Sequence, residues 1–439
     1  DAEVNEKYIE KTSFPVQRLL TAKDLDCVRT ELNSADLLVD ALLGIGIERA
    51  VEGLLADLIR SINDSNVPVL SVDIPSGVDA DTGLVLGCAV QAKWTVTFAF
   101  PKKGLLLHPG ASYAGEIIVG EINIPSFLVE NEPINLLTAS YVRGLFPQRS
   151  IDAHKGSMGR VLVVAGSPGM SGAAVMAAEA ALRGGAGLVY LAAPKSLCPA
   201  LEAKLIEVIT VALPETRPGI IAPEAAEQIL QKAGLCQVLA VGPGLNPGSA
   251  TTTLLESLIA SCPVPMVIDA GALEAIADKM HLLQTAKHLP VLTPHAGEMA
   301  RLVGTGVVQV QQNRLEIALK CARQWNSILL LKGANTIIAL PDGRAYINPT
   351  GGPALSTAGS GDLLTGLVAS FIAQGLLPAA AAAAGAYIHG LSGDLVPEER
   401  GHMARDILLH FKQAFQYVAF ESAYTNNATP YLHRIRPVA

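Results

Sequence analysis

Residues 348–366 read NPTGGPALSTAGSGDLLTG, a glycine-rich loop that runs through Asp362 into an apolar helix. Glycines let backbone N–H groups approach an anion closely, and a helix N-terminus adds a favourable dipole. Asp362 falls in the first helical turn. There its carboxylate can take a proton from a hydroxyl that attacks a phosphate held by those N–H groups. From these residues alone the stretch reads equally well as an ordinary glycine turn with Asp362 as a helix cap. It is not a P-loop, since GxxxxGK[ST] occurs nowhere in the chain.

Working outward, apolar strands alternate with helices. The strand Arg160–Ala165 (RVLVVA) leads into the loop Gly166–Gly172, a helix Ala173–Arg183 with its stop at Gly184, and the strand Leu188–Ala193. Further strands are predicted at Val238–Val241, Met266–Asp269, Pro290–Thr293, Ile328–Lys332 and Thr336–Leu340. Several end in loops holding Gly, Pro or a polar residue, and ligands of open parallel sheets bind at such carboxyl ends. An earlier block repeats the pattern, with a strand at Ala35–Ala41, a Gly44-Ile45-Gly46 turn and a helix Val51–Ile62. The strand Val67–Ile74, the turn Pro75-Ser76-Gly77 and strands at Trp94–Phe100 and Glu116–Ile124 complete it. Both blocks indicate parallel βαβ units. The stretch Pro125–His154 has little periodicity, which predicts domains over 1–135 and 136–420, with a tail over 421–439 left without an assigned structure.

The composition agrees. The chain has 439 residues, half of them hydrophobic and 16% charged, with 40 glycines and 27 prolines. This is an α/β enzyme's make-up. A net charge of -8 argues against a nucleic-acid coat or a polybasic membrane binder. Cys27, Cys88, Cys198, Cys236, Cys262 and Cys321 are scattered without a CxxC pair, which predicts buried free thiols in a reducing compartment. Leu363–Gly393 carries no Asp, Glu, Lys or Arg, but Gln374, Gly375, Pro378, Gly385 and His389 interrupt it, so two consecutive buried helices are expected rather than a membrane span. The expectation is a cytoplasmic protein that does not bind membranes, its sequence starting inside a longer one.

The AGSGD loop before an apolar helix resembles the anion hole and catalytic Asp of the ribokinase-like superfamily. More narrowly, HKGSMGRVLVVAGSPGMSGAAVMAAEAALRGGAGLV (154–189), VGPGL (241–245), TPHAGEMARL (293–302) and LKGANTIIA (331–339) resemble the ADP-dependent NAD(P)H-hydrate dehydratases. The resemblance implies a ribokinase-like, doubly wound, mostly parallel sheet. It also implies a reaction: the nicotinamide-ring hydroxyl of NADHX or NADPHX is phosphorylated by ADP, and loss of phosphate restores NAD(P)H and leaves AMP. By resemblance, Ala173, Gly244, His295 and Asp362 are substrate positions, with Asp362 catalytic. Lys332, Gly333, Ala334, Asn335, Thr336 and Gly361 hold the adenine nucleotide, with Mg²⁺ as its partner. From chemistry alone, Lys332 is a phosphate-facing ammonium or a surface lysine, and His295 is a donor to substrate or a loop histidine without a role. Glu298 starts a helix and reads as its cap.

The first block resembles part of a Rossmann-like NAD(P)H-hydrate epimerase domain, on VDALLGIGIERAVEG (39–53), VDIPSGVDADTG (72–83) and PKKGLLLHPGASYAGEIIVGEINIP (101–125). The resemblance makes Asp40 and Ser76 potassium ligands, and makes Gly44, Ile45, Gly46, Ile47, Glu48, Arg49 and Ala50 a substrate loop. Asp73 then contacts substrate near the epimerised carbon. Hard oxygen donors at strand ends suit potassium, although both Asp residues also read as caps or turn residues. Departures from the family pattern are HKGSMG without an acidic residue after HKG, DAGAL (269–273) in place of DADAL, and Ile45 where Thr is usual. No GNNGGDG segment occurs in residues 1–34, so this chain is expected to carry the latter half of the epimerase domain, with NAD(P)HX epimerase activity expected of the full-length protein. A homo-oligomer is expected. The competing reading is a ribokinase-like kinase of a vitamin precursor or small alcohol.

Overall fold

The computed structural model describes all residues except 1, 13, 129–131, 148, 398–399, 421–434 and 438–439. Two compact units emerge, Asp1–Ile124 with Arg434–Ala439, and Pro125–His433. The division comes before the expected residue 135 because Ile134–Leu136 pairs with Ala345–Ile347 in the second unit's sheet.

The first unit is a parallel sheet of β1 (Leu38–Asp40), β2 (Val69–Val72), β3 (Trp94–Phe98) and β4 (Glu116–Gly120), in that spatial order. A helix, Gly53–Asp64, crosses between β1 and β2 and buries Ala56, Ile59 and Ile62 along one face. That face closes on Val51, Val69 and Val90.

The second unit's strands are β5 (Ile134–Leu136), β6 (Arg160–Val164), β7 (Leu188–Pro194), β8 (Ile209–Leu213), β9 (Glu215–Arg217), β10 (Ile220–Ile221), β11 (Val238–Val241), β12 (Met266–Ile268), β13 (Val291–Leu292), β14 (Ile328–Leu331), β15 (Ile337–Ala339) and β16 (Ala345–Ile347). Ten of them form one sheet, β5-β16-β15-β14-β13-β12-β11-β6-β7-β8. Only β15 runs against the rest, because β14–β15 is a hairpin. The strands β6, β11, β12, β13 and β14 end side by side, and their central positions are fully buried Val, Leu, Ile and Ala, as a sheet covered on both faces requires. Sequence reading missed β5, β8 and β16, which lie toward the sheet's ends. Among the described residues of the tail, β17 (Ile435–Pro437) adds in parallel to β4 in the first unit; positions 421–434 lie outside the described residues.

The uncharged stretch forms two buried helices, Ser360–Ala373 and Pro378–Asp394. Among the described residues no helix is long and apolar enough to cross a membrane. The first of the two helices lies against Ser171–Arg183 with almost no gap: a Cβ on Gly366 would fall 2.0 Å from the Ala177 carbonyl oxygen. All six cysteines are free, and Cys198, Cys236, Cys262 and Cys321 are buried. Cys27 departs from expectation by being exposed, since its helix, Ala22–Ser34, buries only Leu25.

Candidate active site

The carboxyl ends of the second unit's central strands carry the predicted residues. After β11, Gly244 adopts φ +65° in a turn whose carbonyl accepts a bond from Ser167 Oγ at 2.7 Å. Ala173, in the first turn of its helix, is the near neighbour: a Cβ on Gly244 would lie 3.1 Å from the Ala173 Cβ and 2.4 Å from the Met170 carbonyl oxygen. The two predicted substrate positions therefore form one small-residue wall where any larger side chain would intrude.

After β13, His295 caps the helix Ala296–Val303, its Nδ1 accepting from Gly297 N and Glu298 N. With Nδ1 an acceptor, the proton rests on Nε2, on a ring whose side chain is 55% exposed. His295 also bridges in parallel to Lys332, which leaves the end of β14. The Lys332 ammonium then reaches Asp269 Oδ1 at 3.0 Å and Glu298 Oε2 at 3.7 Å. Burial opposes its charge, but the two carboxylates outweigh that and hold its pKa above the ordinary lysine value. Lys332 is thus a fixed cation and not a surface lysine. Glu298 caps the helix through the His295 N–H at 2.7 Å, and also takes part in gripping the cation.

Asp269 does more than its place in a variant DADAL motif suggests. It is 1% exposed, and its second oxygen accepts from Thr365 Oγ1 at 2.6 Å, one turn beyond Asp362. Gly271, the missing carboxylate of that motif, has the Leu245 carbonyl oxygen 2.1 Å from where its Cβ would be, so this backbone leaves no room for an acid there.

Asp362 opens the Ser360–Ala373 helix behind Gly359, which takes φ +92°. Its carboxylate accepts no hydrogen bond from the described residues. Burial, reinforced by the charges of Asp269 and Glu298 and only partly offset by Lys332, pushes its pKa up to about 7. That is the range a base needs in order to switch near neutrality. Gly361 faces the same cation: a Cβ there would come 3.1 Å from Lys332 Nζ. The Gly333–Thr336 loop projects beside it, with Gly333 and Ala334 exposed, Asn335 at φ +51° and Thr336 Oγ1 bonded to the Gly333 carbonyl at 3.0 Å. Sequence reading passed over His389, whose Nε2 lies 3.1 Å from Ser360 Oγ and whose pKa burial lowers to about 4, making it a neutral prop under the glycine loop.

In the first unit, Asp40 is 2% exposed and saturated. Ser71 Oγ and the Ser76 N–H bond one oxygen, and Ser76 Oγ and the Leu42 N–H bond the other. Asp40 and Ser76 are together, as potassium ligands would be, but they bind each other. Asp73 ends β2 at φ +68° and accepts from Phe98 N, Thr97 Oγ1 and the Lys102 ammonium. Lys102 was not foreseen; its one signal was a charge beside a proline just after an apolar strand. Gly44–Ala50 is an exposed loop, tied in at Leu43 N, which donates to Ser76 Oγ at 2.8 Å, and open around Gly44 and Gly46.

A family model described as NAD(P)H-hydrate dehydratase matches residues 161–413, and one described as YjeF-related protein N-terminus matches residues 1–104. A bifunctional NAD(P)H-hydrate repair enzyme of Moorella thermoacetica is 48% identical over 414 residues, 93% of this chain and 78% of that protein. One from Escherichia coli is 33% identical over 381 residues, 85% of this chain and 70% of that protein. Among solved structures, an ADP/ATP-dependent NAD(P)H-hydrate dehydratase of Bacillus subtilis, co-crystallised with ATP and Mg²⁺, aligns with a TM-score of 0.55 and 28% identity, over 65% of this chain and 99% of that one.

Proposed function

We infer the function from one premise: this chain belongs to the NAD(P)H-hydrate dehydratase family, and within it to the bifunctional NAD(P)H-hydrate repair enzymes. It is a nicotinamide-nucleotide repair enzyme, a lyase joined to an isomerase, on a ribokinase-like fold. The relative crystallised with ATP and Mg²⁺ supports nucleotide and magnesium use.

The finer reading is ours. The second unit dehydrates (S)-NAD(P)HX with ADP as phosphoryl donor. The ring hydroxyl attacks the β-phosphorus as its proton passes to Asp362, and the β-phosphorus–oxygen bond to AMP breaks. Phosphate then leaves the ring carbon, and loss of a ring proton restores the dihydronicotinamide. Ala173 and Gly244 admit the ring, His295 Nε2–H donates to a substrate oxygen, and Lys332 with the Gly359–Gly361 N–H groups holds the transferring phosphoryl group. The single observation carrying this reading is Asp362, a carboxylate without a hydrogen-bond partner among the described residues, at the head of a glycine loop and beside a fixed ammonium. No group of three or more His, Cys, Asp or Glu among the described residues is placed to hold a metal ion, and Asp269 and Glu298 are already committed to Lys332. No step is therefore routed through magnesium.

In the first unit Asp73, with Lys102 at its side, is the acid or base of NAD(P)HX epimerisation, and the Gly44–Ala50 loop closes on substrate. Potassium at Asp40 and Ser76 would have to displace bonds the two residues make to each other, so the described arrangement does not fit the ion and no step runs through it.

The test is incubation with (S)-NADHX and either ADP or ATP, following NADH absorbance. Formation of NADH and AMP with ADP is expected. An accumulating phosphorylated alcohol, with no NADH formed, would mark a kinase instead.

A further inference from the structure

Arg314 opens the helix Arg314–Trp325 and is 4% exposed, yet no carboxylate pairs with it among the described residues. Its Nη2 donates to the Leu331 carbonyl at 2.9 Å, and its Nη1 to Gln311 Oε1 at 3.0 Å and to the Lys332 carbonyl at 3.4 Å. Its Nε is buried with no hydrogen-bond partner among the described residues. Burial alone pulls its pKa down to about 10, with no neighbouring charge to compensate. A guanidinium taken out of water without a counter-charge is costly, and a well-packed apolar residue would avoid the cost.

The position of that cost is informative. The two backbone carbonyls are the last of β14 and the first of the Lys332–Thr336 segment. Gly333, at φ +148°, lies directly on the guanidinium: a Cβ there would come 2.7 Å from Nη1. Lys332 is held from the other side by its own N–H, which donates to the Pro294 carbonyl at 2.9 Å, and by Asp269 and Glu298 at its ammonium. Arg314 is therefore the floor of the segment, with Gly333 resting on a guanidinium that has no counter-charge among the described residues.

We propose that Arg314 is a positioning residue for the adenine nucleotide: its fork fixes the Leu331 and Lys332 carbonyls and so pre-forms the Lys332–Thr336 loop, and its unpaired positive charge is completed by the nucleotide's phosphates. This rests on the reading that the loop holds the nucleotide. A planar fork suits two adjacent carbonyls, whereas a lysine brings the charge without the fork. The two parts of the role are therefore separable.

The experiment measures ADP and adenosine affinity by calorimetry for the full chain, for Arg314→Met and for Arg314→Lys, with thermal midpoints and steady-state constants for each. In Arg314→Met, ADP affinity should fall roughly tenfold or more, the scale of losing hydrogen bonds to a charged donor. Adenosine affinity should fall less, and the KM for NADHX should hold. Arg314→Lys should keep the preference for ADP over adenosine while binding both more weakly. A folded Arg314→Met that binds ADP as the unchanged protein does would overturn the proposal. So would equal losses for ADP and adenosine, or a fall in apparent kcat that merely tracks the folded fraction with the KM for ADP unchanged. Should Arg314→Met not fold, Arg314→Lys decides, and unchanged ADP affinity there is equally fatal. If the unchanged protein binds no adenine nucleotide, the nucleotide reading of the loop falls as well.

Discussion

Two aspartates, Asp362 in the first turn of a helix of the second unit and Asp73 just after β2 in the first, show what surroundings do to one side chain. Asp73 accepts from a backbone N–H, a hydroxyl and the Lys102 ammonium, so its negative charge is answered on several sides. Asp362 accepts nothing from the described residues, and the nearest cation, Lys332, is held by two other acids. Its pKa rises to about 7 accordingly. On the proposed reading, the second unit keeps a base in reserve and offers the cation to an incoming phosphate. The first keeps acid and cation as a pair, an arrangement suited to passing a proton back and forth at one carbon.

The contrast is most directly broken at Asp362. Asp362→Asn should retain ADP binding but lower dehydration turnover by ~10²–10⁴-fold, the usual scale for a general base. A loss of only a few-fold, by NADH absorbance, would remove Asp362 from that role. The same residue sets two pH effects. Turnover should fall as pH drops below about 7, because the protonated carboxyl cannot accept a proton. Its folded pKa is raised, so the native state holds more protons than the unfolded chain between the ordinary Asp value and about 7, and stability should decline as pH rises through that window. Denaturation series at several pH values should show a flatter profile for Asp362→Asn.

The first unit is tested next. In the full-length protein, Lys102→Met should slow epimerisation by roughly tenfold to a hundredfold, the range of a misplaced acid–base partner, and leave dehydration of the S form untouched. Chiral chromatography of residual NADHX reads both. Equal loss of the two activities would mean that the variant damages the whole chain instead of one site.

Smaller effects separate two neighbouring glycines. Gly361 has no positive φ and meets only the flexible tip of Lys332, so Gly361→Val should weaken ADP binding by roughly tenfold with little change in thermal midpoint. Gly359 stands at φ +92° with Met176 Cε 2.3 Å from where a Cβ would be. Gly359→Ala should therefore cost about 1–3 kcal/mol of stability, read by urea denaturation. Smallest is Thr365→Val, which deprives Asp269 of one hydrogen bond and should destabilise by roughly 1–2 kcal/mol.

How much of this the sequence could tell follows from the range of each interaction. The glycine loop, the apolar strands and the helix stop at Gly184 are local signals, and they placed the central strands and the Ser360 helix within a few residues. The link between Asp269 and Thr365 spans 96 positions, and the one between Arg314 and Leu331 joins a helix start to a strand end. No periodicity carries information about such pairs. Gly271 shows the opposite error. Against the family pattern it looked like a lost carboxylate, but only the fold reveals the Leu245 carbonyl occupying that space. Lys332 and Glu298 were each legible as types, a cation after a strand and a helix cap, while their joint work needed three strand ends brought side by side.

The near-zero gap at Gly366 has a mechanical consequence. The helices that begin at Ser171 and Ser360 carry Ala173 and Asp362 in their first turns, and the Ala177 carbonyl leaves no slack between them. The two helices are therefore packed as one girder, and on the proposed reading that packing sets the gauge between the ring wall at Ala173 and the base at Asp362. On that same reading, tolerance for the extra phosphate that distinguishes NADPHX from NADHX falls to the loops around the girder. A methyl group added at Gly366 would reset the gauge itself, misaligning both cargoes alike while every residue named in the chemistry stayed intact.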